Sequence, residues 1–203
     1  MLIDCHQYTG DQIYFLMIQA IIPRPIAWVL SDNGNGTHNL APFSFFNGIT
    51  SEPPILMISV GHKSKGSKKD TWVNIEERKE FVVHVSSEEL ANDVVESSAE
   101  LPRGESEITK LNLRTEKVEG MRLPRLIGPK VAFFCEKHAI YEIGTEPHAL
   151  ILGEIKKIWF DEAVIQKKKG RLIVDFKKLN PLSRLGGNFY STLGKIITLK
   201  KLD

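Results

Sequence analysis

The run Asn39-Leu40-Ala41-Pro42-Phe43-Ser44-Phe45-Phe46-Asn47 sets two amides, a hydroxyl and a proline among three aromatic rings. Flat apolar surface interleaved with small hydrogen-bonding groups is what a flat heteroaromatic ligand requires of its pocket. The same residues also suit a core strand whose amides cap neighbouring turns, since polar groups in a core need partners. Both readings stand at this level. The loop from Gly61 to Thr71 gathers Lys63, Lys65, Lys68 and Lys69 around two glycines, with the Thr71 hydroxyl at its end. If a helix follows, its free N–H groups and positive dipole end join those lysines in a phosphate site. The alternative is a solvated basic loop. Asp70 competes for the same positive end, which points to a helix cap or to a partner for Lys69.

Near the C-terminus, Arg184-Leu185-Gly186-Gly187-Asn188-Phe189-Tyr190 places a guanidinium and a phenol on either side of two glycines. Adjacent glycines permit a tight turn that brings Arg184 and Tyr190 to one place. A C-terminal turn that merely packs an aromatic anchor explains the same pattern. His148 precedes a strand-like segment and either faces a ligand or is an ordinary surface or core histidine. No Ser-His-Asp pattern and no G-x-G-x-x-G fingerprint is present. Cys5 and Cys135 show no metal-ligand spacing and make no disulfide scaffold, so no metal site is expected.

These residues need elements to hold them. Ile13, Leu16, Met17 and Ala20 recur at helical spacing, which predicts an amphipathic helix over Asp11 to Ile21, stopped by Pro23 and Pro25. Ile26 to Leu30 reads as a strand, Asp32-Asn33-Gly34-Asn35-Gly36 as a turn, and a strand resumes near His38. Ile55 to Val60 and Phe81 to Ser86 are further strands. A helix runs from Asp70 or Thr71 to about Lys79, and another over Glu88 to Ser98 with Leu90, Val94 and Val95 on one side. Two long β-like segments follow, Val131 to Ile143 and Ala149 to Phe160. Short strands with few crossover helices argue against a doubly wound parallel sheet and for a closed or partly closed antiparallel barrel.

With 203 residues, 42% of them hydrophobic, the chain holds enough apolar material for one sizeable core, and one domain over residues 1–203 is the expectation. A net charge of +2 lacks the footprint of a nucleic-acid binder. The Lys167 to Lys169 run reads as a solvated loop. No N-terminal apolar signal segment is present, and no apolar run reaches the ~18 residues of a membrane span. A cytoplasmic setting without membrane association is expected.

The Pro23-Arg24-Pro25-Ile26-Ala27-Trp28 segment, the Asn39 to Asn47 run, Pro53-Pro54 before a strand, Lys69-Asp70-Thr71, and Arg184-Leu185-Gly186-Gly187-Asn188-x-Tyr190 occur in this order. Together they resemble the FMN-binding split-barrel family that includes flavin reductases and flavoredoxin, over roughly residues 10 to 192. The resemblance implies a mainly β, Greek-key split barrel with peripheral helices that binds FMN. It implies that the strand around Trp28 and Ser31 lines the flavin, and that Asn39, Ala41, Ser44, Phe45 and Asn47 meet its ring and ribityl chain. Ser59, Lys69 and Thr71 would then hold the ribityl or phosphate end, with Arg184 and Tyr190 closing the site. His148 stands where many flavin reductases carry Gly-Asp-His, although Glu146-Pro147 precede it here, and is the one candidate catalytic residue, on the nicotinamide side.

The implied activity is transfer of a hydride from NAD(P)H, bound transiently, to flavin N5. The alternatives are a flavoredoxin-like carrier with tightly held FMN and a protein redox partner, or a non-redox barrel. A homodimer is also implied. Trp159 and Phe160, adjacent at a strand end, cannot both point into one barrel, so one of them is expected to face a partner or a packed helix.

Overall fold

The computed structural model describes residues 1–64 and 66–200; the expected contribution of Lys65 to the basic loop lies outside the described residues. The main element is a seven-stranded antiparallel sheet built from β2 (Ala27–Asp32), β3 (His38–Phe43), β4 (Phe46–Ser51), β5 (Pro54–Val60), β6 (Glu80–Val85), β9 (Val131–Ile143) and β10 (His148–Phe160). Its spatial order is β3-β2-β6-β9-β10-β5-β4, so chain order and sheet order part company after the first hairpin, as in a Greek key. The sheet curls so that its two ends approach, β3 running into β4 through Ser44 and Phe45 alone and touching β5. The result is a mainly β split barrel. Short pairs complete it: β1 (Arg24–Pro25) with β13 (Ser183–Gly186) and β14 (Phe189–Ser191), β7 (Thr115–Glu116) with β8 (Arg125–Leu126), and the hairpin β11 (Ile165–Lys168) with β12 (Arg171–Val174). The helices are α1 (Gly10–Ala20), α2 (Asp70–Arg78), α3 (Ala91–Glu96), α4 (Glu107–Lys110) and α5 (Phe176–Leu179). Among the described residues, no helix is long and apolar enough to cross a membrane.

The central strands β2 and β6 read as near-continuous apolar runs because both of their faces are covered. On β2, Ala27 and Val29 enter one core cluster with Trp72 and Ile75 of α2, while Trp28 and Leu30 enter a second with Val94, Leu126 and Leu182. Period-two alternation thus feeds two cores from one strand. The turn before β3 closes as its residues dictate: the Gly34 N–H donates to Asp32 Oδ1 at 2.7 Å, and Gly34 and Gly36 both take positive φ.

Several expectations need correction. The α2 cap is Lys69, not Asp70 or Thr71, and it offers no side-chain acceptor. Asp70 sits in the first turn and pairs with Lys63 at 3.0 Å, not with Lys69. The Glu88 to Ser98 segment splits into a 3₁₀ turn, Glu88–Leu90, and α3. The change of pitch leaves Val94 buried and turns Val95 outward. Of the adjacent pair, Trp159 packs into the second cluster, which α3 and α4 also enter, with the Arg125 guanidinium 3.5 Å from its ring centre, in keeping with the packed-helix alternative. Helix α1 forms as expected, with a capping box between Thr9 and Gln12, yet buries none of its residues.

His84 is fully buried on the face of β6 that meets the second cluster. Its Nε2 accepts from the Leu126 N–H at 3.0 Å, so its Nδ1 carries the proton and donates to the Trp28 carbonyl, also at 3.0 Å. Burial, aided by the Arg125 charge and opposed by the Trp28 carbonyl, pushes its pKa down to about 4. The folded state therefore resists a proton that the unfolded chain accepts near pH 6.5. Stability carried by this group is complete above that value and is lost as pH falls towards 4, on the order of 3 kcal/mol in all. Urea unfolding of wild type and His84→Gln at pH 7 and pH 4.5 checks this. The wild-type protein should lose about 2–3 kcal/mol more than the variant over that interval, and equal losses would remove His84 as the acid-sensitive group.

Candidate functional site

A cleft of about 610 Å³ opens where the Asn39 to Asn47 run bends between strands, a size within the range of small-molecule and cofactor pockets. The bend is the key to its lining. β3 ends at Phe43 and β4 begins at Phe46, so Ser44 and Phe45 form a corner and do not continue the alternation of either strand. Pro42, Phe43, Ser44 and Phe45 form one wall. Ser59 and Gly61, at the end of β5, form the floor with His62 and Lys63. Gly10, Asp11 and Tyr14 of α1 extend that first wall, and the Tyr14 ring tilts against Phe45 with centroids 6.2 Å apart. Glu146 and His148 close one side. His148 lies so close over Gly61 that a Cβ there would meet its ring at 3.1 Å, which gives that glycine a packing role.

Lys63 and Lys69 line this cleft and also a smaller cavity beside it, of about 30 Å³, whose other walls include Asn39, Ala41, Thr71, Ser97 and Ser98. Thr71 is buried at the start of α2. Its Oγ1 accepts from Asn39 Nδ2 at 2.8 Å, which leaves its own proton free to donate. Because the cap is Lys69, the first N–H groups of α2 have no side-chain acceptor, and the positive end of the helix faces the small cavity. Lys68 is drawn away, pairing with Glu76 and Glu142, and Lys63 is neutralised by Asp70. Lys69 makes no ion pair among the described residues. Glu107 also faces the small cavity and accepts from the Leu40 N–H at 2.8 Å. Its burial, with Asp70 nearby, raises the pKa of its carboxyl above the ordinary value, and the Asp70 and Glu100 carboxylates border the same cavity.

The structure therefore brings Ser44, Phe45, Ser59, Lys69 and His148 around the cleft, with Asn39, Ala41 and Thr71 on the adjoining cavity. The rest of the expected set lies elsewhere. Trp28 is 1% exposed in the second core cluster, and its indole reaches the small cavity only through Ser97, to whose Oγ it donates at 2.8 Å. Ser31 is equally interior and accepts from Asn74 Nδ2 at 3.2 Å. Their strand is buried on both faces, and neither residue lines the cleft or the small cavity. Asn47 stands exposed on β4, beyond the corner at Ser44–Phe45, with its Oδ1 taken by the Gly48 N–H. Arg184 and Tyr190 do converge, with the guanidinium 4.4 Å from the ring centroid, but they stand behind α1 and do not line the cleft. Tyr14 and Asp11 escaped the sequence reading because helix periodicity marks which residues share a face, not what that face meets.

The family model described as a flavin reductase like domain matches residues 19–182. The chain belongs to that family. A flavin-related oxidoreductase is therefore the coarse assignment. The uncharacterized protein YwrF of Bacillus subtilis is 38% identical over 197 residues, 95% of each chain. Among solved structures, nitrilotriacetate monooxygenase component B from Bacillus cereus superposes with a TM-score of 0.90 at 32% identity, covering 98% of both chains. The 2-nitrobenzoate 2-nitroreductase NbaA of Pseudomonas fluorescens gives 0.89 at 30% identity, covering 100% of this chain and 96% of its own. The flavoredoxin of Desulfovibrio vulgaris shares the fold, with a TM-score of 0.70 at 18% identity over 88% of this chain and 91% of its own.

Proposed function

We propose that this flavin reductase-like protein binds FMN in the cleft and acts as an NAD(P)H:flavin oxidoreductase. The observation that carries the reading is the continuity of two unlike surfaces. An aromatic and hydroxyl-bearing cleft leads, past Lys63 and Lys69, into a small polar cavity at an open helix N-terminus. A flat ring joined by a polar chain to a phosphate needs that sequence of surfaces, and the donor set fits it. Phe45 and Tyr14 offer the ring its flat contacts, Ser44 and Ser59 offer hydroxyls, and Lys69, Thr71 and the first N–H groups of α2 receive the phosphate. Asn39 holds the Thr71 hydroxyl so that its proton faces the anion.

When bound, FMN supplies the electron sink, accepting a hydride at its N5. The protein's part is to orient and to exclude water. His62, Glu146 and His148 line the same cleft and would be the residues to meet a nicotinamide. The similarity to a monooxygenase component and to a nitroreductase, each at 30% identity or more, supports a redox role. The test is the spectrum of the purified protein. Flavin bands near ~450 nm that bleach with dithionite and with NADH or NADPH support the reading. Bands that bleach with dithionite alone favour an electron carrier served by a protein partner, and a protein that takes up no FMN defeats both.

A homodimer belongs to the same proposal, but its argument moves from Trp159 to α1. Tyr14, Phe15, Leu16, Met17, Ile21 and Ile22 are each 40–56% exposed, on and just after a helix with no buried residue. A surface helix that is apolar on its outer sides is covered in the working protein, and a symmetric second copy is the simplest cover. Light scattering at micromolar concentration should give the mass of two chains, and Phe15→Glu should shift it to one. A wild-type mass of one chain would end this part of the proposal.

A further inference from the structure

Arg24 is 5% exposed, yet no carboxylate pairs with it among the described residues. Its guanidinium instead bridges two parts of the cleft. One terminal nitrogen donates to the carbonyls of Ile18 and Ile21, at the C-terminal end of α1, the second at 2.6 Å. Its Nε donates to Ser44 Oγ at 3.3 Å, and its charge lies 6.0 Å from the centre of the Phe45 ring. Arg184 lies directly across the β1–β13 pair, so a second cation stands beside the first. Two guanidiniums without carboxylate partners back the wall made by Ser44, Phe45 and Tyr14.

A serine hydroxyl rotates to suit its partners. With a guanidinium donating to its oxygen, the Ser44 proton must turn away from Arg24, and Ser44 makes no other hydrogen bond among the described residues. The open direction is the cleft. We infer that Arg24 is a positioning residue: it fixes Ser44 as a hydrogen-bond donor into the cleft and clamps the end of α1 that carries Tyr14, so that the wall favours a ring gaining negative charge. A donor aimed at an acceptor strengthens as that acceptor becomes more negative, and the two cations act in the same sense. Burial, with the neighbouring Arg184, lowers the Arg24 pKa from its ordinary value, as expected of a cation held without an anion. This inference rests on the flavin reading of the cleft and adds to it the residue that biases the site towards reduced flavin.

The experiment measures the midpoint potential of bound FMN, with FMN affinity and far-UV circular dichroism alongside, in wild type, S44A, R24K and the double variant. S44A should weaken binding of reduced relative to oxidised FMN about tenfold, which for a two-electron couple is about 30 mV lower. R24K keeps the charge but not the Nε donor that turns the hydroxyl, so it should resemble S44A. The double variant should shift no further than either single one, because the two residues act through one hydrogen bond. An unchanged potential in S44A overturns the inference, as do additive shifts in the double variant. If the Arg24 variants fail to fold, S44A alone decides, its shift supporting the inference and its constancy overturning it. A wild-type protein that binds no FMN is a different result, which removes the flavin reading itself.

Discussion

Replacing Lys69 by alanine is expected to raise the FMN dissociation constant about 10- to 100-fold while leaving riboflavin affinity within about a factor of two. The two ligands differ only by the phosphate, so the contrast isolates the groups that hold it. Lys69 is the side chain to test because it lines both the cleft and the small cavity and makes no ion pair among the described residues. Lys63 and Lys68 already have carboxylate partners, so their loss would change internal pairing as well as ligand binding. A charge-assisted hydrogen bond is worth about 1.5–3 kcal/mol, which sets the one to two decades. Thr71→Ala should act in the same direction, with a complication the structure makes visible. Asn39 Nδ2 donates to Thr71 Oγ1 in a buried place, so the alanine variant orphans an amide and destabilises the apoprotein as well. Thr71→Ser keeps the hydroxyl and should restore both properties. Flavin titrations of each variant with FMN and with riboflavin check the set. Equal losses for the two flavins would place the phosphate somewhere other than the start of α2.

Gly153→Ala is expected to destabilise the fold by about 1–3 kcal/mol, and Gly153→Val by more. Gly153 lies in the middle of β10, facing the first core cluster, where a Cβ would stand 2.3 Å from Phe81 Cζ and 3.3 Å from Cys135 Cβ. Phe81 is itself buried and cannot swing aside, so the sheet or the ring must shift. The ladder between β9 and β10 already changes register between Leu152 and Gly153, which leaves little slack there. For a chain of this size the loss corresponds to a melting temperature lower by roughly 2–12 °C. Phe81→Leu in the same chain vacates the space that the new methyl needs. The double variant should therefore be more stable than the sum of the two single losses implies, a coupling readable in a double-mutant cycle. Strict additivity would mean that the glycine is required for some reason other than the Phe81 ring.

The elements were legible where a local cause fixed them. The Asn-Gly-Asn-Gly turn, the long β9 and β10 segments and the helix before Pro23 stand within about two residues of where periodicity and turn chemistry put them, because each is set by neighbours in the chain. The ordered motifs, from Pro23-Arg24-Pro25 to Arg184–Tyr190, also pointed to the family that the domain match shows.

What sequence order could not supply was which residues share a cavity. The resemblance implied that Trp28 and Ser31 line the flavin, but β2 is buried on both faces, and neither residue lines the cleft or the small cavity. It also implied that Ser44 and Asn47 both meet the flavin, but Ser44 stands in the two-residue corner that lines the cleft and Asn47 beyond it on exposed β4. Tyr14 joined the cleft because α1 is held against it from behind, by Arg24 on its terminal carbonyls and by Gly186, where a Cβ would come within 2.9 Å of the Ile18 carbonyl. The chain thus determined its strands, turns, helix signals and motif chemistry through interactions a few residues long. The site was decided by contacts between segments as far apart as Tyr14, Ser44 and His148, which only the curl of the sheet brings to one place.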